Sequence, residues 1–333
     1  MDTRSPRIDP VARRAARIVF LSVLFLSACA TLFREVKKDL ILVNAALSDD
    51  DVEITLHDSF IAAYKDRATI RLRLTVEKSG KRPHPAFWDG DFHVAGQSPA
   101  IGLPVVAEIA NAASEEDAIG RIHRAESSGR PIRVAGAWRL WSEHAGDAEE
   151  YQGTKLAPTE LTNPGHVFEI HPMTLIDDRD LRASFRPVAG YRPGTAGTVF
   201  KSLEKVPCRI SSKGAMTAIV TRTRQFNDVE FLLELTAGRQ VVVEDGRFVE
   251  AAVLDLDGKR LVDKLRMVFV KDTPPDRLVR ELKAGDRLHV FGLPRIDLAV
   301  VAWRVRHGVE NPELLDRTLP YEIVVVGAYP PRT

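Results

Sequence analysis

The chain has 333 residues, 44% of them hydrophobic, with 47 lysines and arginines against 46 aspartates and glutamates. Length and composition describe a globular chain of about two domains. Residues 1 to 17 hold five arginines and two aspartates, leaving a slightly acidic remainder of 42 basic and 44 acidic residues. No nucleic-acid partner is expected, because phosphate binding needs a basic surface.

The first feature in chain order is Arg13 to Cys29. Arg13, Arg14 and Arg17 precede the apolar segment Ile18 to Leu26, and Leu26-Ser27-Ala28-Cys29 follows, with small residues leading into a cysteine. A charged start, a short apolar stretch and small residues mark a secretory signal and not a span, since a spanning helix needs roughly 20 apolar residues. Leu26-Ser27-Ala28-Cys29 resembles the lipobox of bacterial lipoproteins. The resemblance implies that residues 1–28 are a signal peptide, that Cys29 is the first mature residue, and that its thiol carries a diacylglyceryl group. An acylated amino terminus would add a further chain; at about 0.8 kcal/mol per buried methylene, two or three chains anchor stably where one is marginal. Ala30 stands where an aspartate would signal inner-membrane retention in that family. The implied location is the cell envelope, lipid-anchored, on the periplasmic side of the outer membrane if the cell has two membranes.

With Cys29 lipidated, Cys208 is the one cysteine left, so no disulfide is expected. Beside Pro207 and Ile210 it reads as a small buried apolar group.

Residues 29–51 read as a tether, with Leu40 to Val43 as a short packed segment and Asp49-Asp50-Asp51 at its end. A first domain is expected over 52–176. Its clearest strand is Thr69 to Val76, where Ile70, Leu72, Leu74 and Val76 alternate with Thr69, Arg71, Arg73 and Thr75. Phe92 to Ala95, Val105 to Ile109, Ile132 to Leu140 and Val167 to Ile170 are further strands. Ser114 to Glu126 reads as a helix capped by Ser114 and closed by Gly129.

Residues 177–205, dense in Pro and Gly around Arg186 to Gly194, read as a linker. In the second domain, 206–333, Glu230 to Leu235, Leu265 to Val270, Leu288 to Phe291 and Tyr321 to Val326 read as strands. Asp245-Gly246 and Asp257-Gly258 signal turns, and Pro275 to Lys283 a helix. The halves match locally: Arg133-Val134-Ala135-Gly136 with His289-Val290-Phe291-Gly292, and Phe168-Glu169-Ile170 with Tyr321-Glu322-Ile323.

Several strands, a helix before the fourth and a closing strand resemble the five-stranded OB barrel. The resemblance implies a mainly β chain with short helices, forming two small OB-like β-barrel domains in tandem. OB barrels carry nucleic acid, sugar and protein ligands, so the fold alone does not choose a function.

One constellation suits chemistry. Period two places Asp91 and His93 on one face of their strand and Glu169 and His171 on one face of theirs. If the strands are neighbours, two carboxylates and two imidazoles converge, a set suited to a divalent metal or to general acid–base work. HExxH, CxxC, G-x-S-x-G and a phosphate-binding glycine loop are all missing from the sequence, and no catalytic or cofactor-binding residue is assigned. Trp88, Trp138, Trp141 and Trp303, with Phe87 and Tyr151, are candidates for a sugar or peptide groove. The leading expectation is a non-enzymatic envelope lipoprotein that binds or scaffolds another envelope protein or a glycan. The alternatives are a metal-dependent hydrolase using Asp91, His93, Glu169 and His171, and a carbohydrate or peptidoglycan binder using the aromatics.

Overall fold

The computed structural model describes residues 47–48, 51–145, 160–222, 226–236 and 240–329. The signal segment, Cys29, Leu40 to Val43 and Tyr151 lie outside them. All described elements fall within one unit, residues 37–333.

Strands β1 (Leu47–Ser48) and β2 (Asp51–His57) come first. Val52, Ile54 and Leu56 of β2 are buried and alternate with half-buried neighbours, a strand signal that a tether ending at Asp51 leaves unread. Helix α1 (Asp58–Tyr64) leads into β3 (Thr69–Ser79), which buries Ile70, Leu72, Leu74 and Val76 and exposes Arg71 and Arg73. Then follow β4 (Phe92–Gln97), β5 (Pro104–Ile109), α2 (Glu116–Ser128), β6 (Ile132–Leu140) and β7 (Phe168–Ile176). The α2 helix starts two residues later than expected; Ser114 lies in a 3₁₀ turn and its hydroxyl donates to Asn111 O. Gly129, at φ +65°, ends it in the left-handed region that glycine adopts freely.

Strands β3, β4 and β5 form an antiparallel meander, β6 returns beside β3, and β7 closes the circle, antiparallel to β6 and parallel to β5. This is the OB circuit, with α2 between its third and fourth strands.

Residues 177–205 hold β8 (Arg179–Asp180) and α3 (Ala196–Leu203). The Pro- and Gly-rich stretch is irregular, but Val199, Phe200 and Leu203 of α3 are buried. The hairpin β9 (Pro207–Lys213) and β10 (Met216–Arg222) comes next, followed by β11 (Val229–Leu235), β12 (Val241–Val243), β13 (Gly246–Leu254) and β14 (Arg260–Val270). The chain ends with α4 (Pro274–Arg280), β15 (Arg287–Ile296), α5 (Leu298–Gly308), β16 (Asp316–Thr318) and β17 (Tyr321–Ala328). Strands β11, β13, β14, β17 and β15 repeat the same circuit, again with the one parallel pair between the third and fifth strands. The chain is thus mainly β, with two OB-like barrels in tandem.

The segments matched in sequence occupy the same places in the two barrels. Gly136 and Gly292 each sit at a register shift of the fourth strand. A Cβ at Gly136 would collide with Pro172 O and Ile170, and one at Gly292 with Ile323. Arg139 pairs in register with Glu169, and Arg295 with Glu322.

A third sheet joins the halves in the order β1-β2-β10-β9-β16. The ranges 52–176 and 206–333 each contain a whole barrel, and both also give strands to this sheet, β2 pairing with β10 from Asp51↔Arg222 to His57↔Met216.

The barrels meet along their fourth strands through two fully buried arginines. Arg139 donates Nε to Pro294 O (2.9 Å) and Nη1 to Glu169 (2.8 Å). Reciprocally, Arg295 donates Nη1 to Trp138 O (2.9 Å) and Nε to Glu322 (2.7 Å), its guanidinium lying 3.6 Å from the Trp138 ring centre. Each arginine thus neutralises a glutamate in its own barrel and ties down a backbone carbonyl of the other. Arg295→Met, which leaves buried Glu322 with only the longer 3.4 Å contact to Arg266, is expected to cost about 3–5 kcal/mol in urea unfolding, while Arg295→Met with Glu322→Leu recovers most of the loss. Equal losses in the single and double variants would count against this account.

Candidate functional site at the seam of the barrels

The outer face of the first barrel carries a polar cluster. Asp91 precedes β4, His93 lies on it, Glu108 is on β5, and Glu169 and His171 are on β7. Register sets them side by side: His93 is opposite Glu108, and Val106 of β5 is opposite Glu169 of β7. All four residues expected from sequence are therefore gathered, and Glu108 joins them. Sequence reading passes over Glu108 because it lies inside the apolar run Val105 to Ile109. A lone acid in a strand otherwise buried is itself the signal.

His171, 5% exposed, is the hub. Its Nε2 donates to Asp91 Oδ2 at 3.2 Å, and its Nδ1 stands 3.4 Å from Glu108 Oε2 and 3.5 Å from Glu169 Oε2. His93 Nε2 is 3.2 Å from Glu108 Oε2. Glu169 is held from both sides, by Arg139 on Oε2 and by His166 on Oε1, each at 2.8 Å. A second, half-buried group, His84, Asp89 and His93, adjoins the first, with His84 Nδ1 2.9 Å from Asp89.

Burial sets the electrostatics. It pushes the Asp91 carboxyl up to about 6, against the pull of His171. At Glu108 burial works in the same direction but is overcome by His171 and His93, which hold it near 2. Burial alone would lower both imidazoles; the surrounding carboxylates reverse this, raising His93 to about 9 and His171 well above its usual value. Beside them, burial lifts Glu143 to about 7 despite Arg139.

A cavity of about 20 Å³ adjoins the cluster, lined by Asp89, Asp91, His171, Arg186, Tyr191, Asn227 and Asp228 on the polar side and by Phe291, Leu293 and Val326 of the second barrel on the other. It has room for about one water molecule or ion. The Tyr191 hydroxyl donates to Asp228 Oδ2.

The aromatics divide. Trp138 and Trp141 are buried, their indole N–H groups donating to Arg67 O and Phe226 O, so they line no groove. Phe87 and Trp88, on the loop between β3 and β4, are 67% and 59% exposed. Trp303, on α5 in the other half, is 46% exposed. Cys208 is buried in the third sheet, its thiol pushed up to about 12 by burial.

Because His93 is charged more readily in the folded chain, the stability it contributes is complete below about pH 6.5 and is lost as pH rises through about 9. In chelator-treated protein, the difference in urea midpoint between wild type and His93→Gln is expected to shrink across that window. A difference constant from pH 6 to 9.5 would contradict the assignment.

No protein-family model matches the chain, and no curated protein sequence does. Among solved structures, the single-stranded DNA binding protein from Thermus aquaticus is similar at 14% identity, over 80% of this chain and 92% of that one, with a TM-score of 0.21. A deletion mutant of the same protein aligns at 14% identity over 80% and 93%, with a TM-score of 0.22. The OB assignment rests on strand order and register.

Proposed function

We propose that this chain is a non-enzymatic binding or scaffolding module of the cell envelope, anchored in a membrane by lipid on Cys29 and engaging another envelope protein or a glycan. The observation that carries the binding role is the aromatic pair Phe87–Trp88. These rings stand in solvent on the loop joining the first two strands of the first barrel, one of the loops with which OB barrels hold ligands.

The loop is built to present them. His84 N donates to Asp91 O (2.8 Å), Trp88 N to Pro85 O (2.9 Å) and Asp91 N to the Asp89 carboxylate (3.0 Å). Gly90, at φ +71°, packs against Val188, where a Cβ would meet a methyl group at 3.0 Å. Trp88 packs edge-on against His84 and Phe87, and both large rings nevertheless remain mostly exposed on a firmly tied loop, as on recognition surfaces. The anchoring role rests on the lipobox Leu26-Ser27-Ala28-Cys29.

Each part has its own measurement. Phe87→Ala with Trp88→Ala is expected to leave the unfolding free energy from urea titration within about 0.5 kcal/mol of wild type, as exposed positions do, and to abolish recovery of the envelope partner in pull-downs. Undiminished recovery would refute the aromatic surface. Cys29→Ser is expected to lose metabolic labelling with a fatty acid and to leave the membrane fraction or remain unprocessed; normal labelling of that variant would refute the anchor.

A further inference from the structure

The acid–imidazole cluster is not something the fold requires. Register fixes which residues of the second barrel correspond to it. Glu169 matches Glu322, so His171 matches Val324; the parallel pairs Ala107↔Ile170 and Met267↔Ile323 then match Glu108 with Val268; and the pairs His93↔Glu108 and Phe248↔Val268 match His93 with Phe248. In the second barrel these three positions form part of an apolar cluster of buried side chains. An apolar filling therefore suffices at this place in an OB barrel, and buried charges replaced by apolar groups commonly leave stability unchanged or improved. The polar set in the first barrel calls for a ligand.

Hydrogen bonding within the cluster is incomplete at the atoms facing that ligand's place. Both oxygens of Glu169 have partners, but Asp91 Oδ1 and His171 Nδ1, on side chains only 9% and 6% exposed, make no hydrogen bond, nor does Asn227 Oδ1 across the cavity. An orphaned carboxylate oxygen and an orphaned imidazole nitrogen in one buried pocket are donors to a cation.

We propose that Asp91, Glu108 and one ring nitrogen of His171 bind a divalent transition-metal ion of the zinc type at the seam of the two barrels. One ligand atom from each of these residues lies within 4.8 Å of the other two. Ligand atoms about 2.0–2.2 Å from a tetrahedral ion stand roughly 3.4 Å apart; His171 Nδ1 lies 3.4 Å from Glu108 Oε2, while the 3.2 Å contact with Asp91 is made by the other ring nitrogen, Nε2. Imidazole with carboxylate suits zinc and its neighbours better than calcium or magnesium, which take oxygen shells. Glu169, spoken for by Arg139 and His166, is a positioning residue 3.5 Å from the His171 ring. The adjoining cavity leaves space for one water in the remaining position. This inference does not depend on the aromatic surface or on the anchor.

The test uses the full chain, stripped with chelator and titrated with Zn²⁺ alone. Calorimetry is expected to show one ion per chain, and Co²⁺ to give the visible absorption of a tetrahedral site. Zn²⁺ should shift the imidazole resonances of His171 and leave those of His289, in the second barrel, in place. Glu108→Gln and Asp91→Asn are expected to weaken binding about tenfold or more, with far-UV circular dichroism confirming that each variant is folded. Absence of saturable binding by the wild-type chain overturns the proposal, as does one-to-one binding that leaves His171 unshifted; both readouts use wild-type protein, so a misfolded variant does not shield it.

Discussion

The two-barrel body depends on the reciprocal pair of buried arginines. Each guanidinium is planar, carries five donors and remains charged in a dry interior, so it can satisfy a glutamate and a foreign carbonyl together, which a lysine cannot. Because Arg139 takes Pro294 O and Arg295 takes Trp138 O, neither barrel can turn against the other without stranding a charge. Desolvating such groups is costly, and what they secure is a unique docking geometry. That geometry brings Phe291, Leu293 and Val326 against the wall of Asp91 and His171.

From this follows the asymmetry between the barrels. Both keep the arginine–glutamate pair, but the surroundings differ. Glu169 has Arg139, His166 and His171 around it, and Arg139 and these imidazoles hold it well below the usual carboxylate range in spite of burial. At Glu322 burial prevails over Arg295 and Arg266 and lifts the carboxyl to about 7. The same pair in the same fold therefore does two things, supporting a charged network in one barrel and an apolar packing surface in the other.

Much of this was legible in the chain. Alternation at Ile70, Leu72, Leu74 and Val76, the apolar run at Val105 to Ile109 and the helix between the third and fourth strands sufficed for the OB circuit, because period two and strand order are local properties. Period two also placed Asp91 with His93 and Glu169 with His171 on common faces. Which faces would meet was not local. Glu108 enters through cross-strand register, and Arg139 reaches its partners only because a second barrel docks there. The third sheet was hidden for the same reason: Val52, Ile54 and Leu56 find their partners in β10, more than 150 residues away in sequence.

That shared sheet has a consequence for how the chain can be divided. The irregular stretch at 186–194 looks like a place to cut, but a fragment ending there would keep β2 with its hydrogen-bonding edge bare, and the complementary fragment would keep β10 equally bare. Exposed edges of that kind recruit other strands. The two pieces are therefore better regarded as interlocking halves, suited to reassembly when mixed and prone to clump when kept apart, and connectivity along the backbone is a poor guide to what can fold independently.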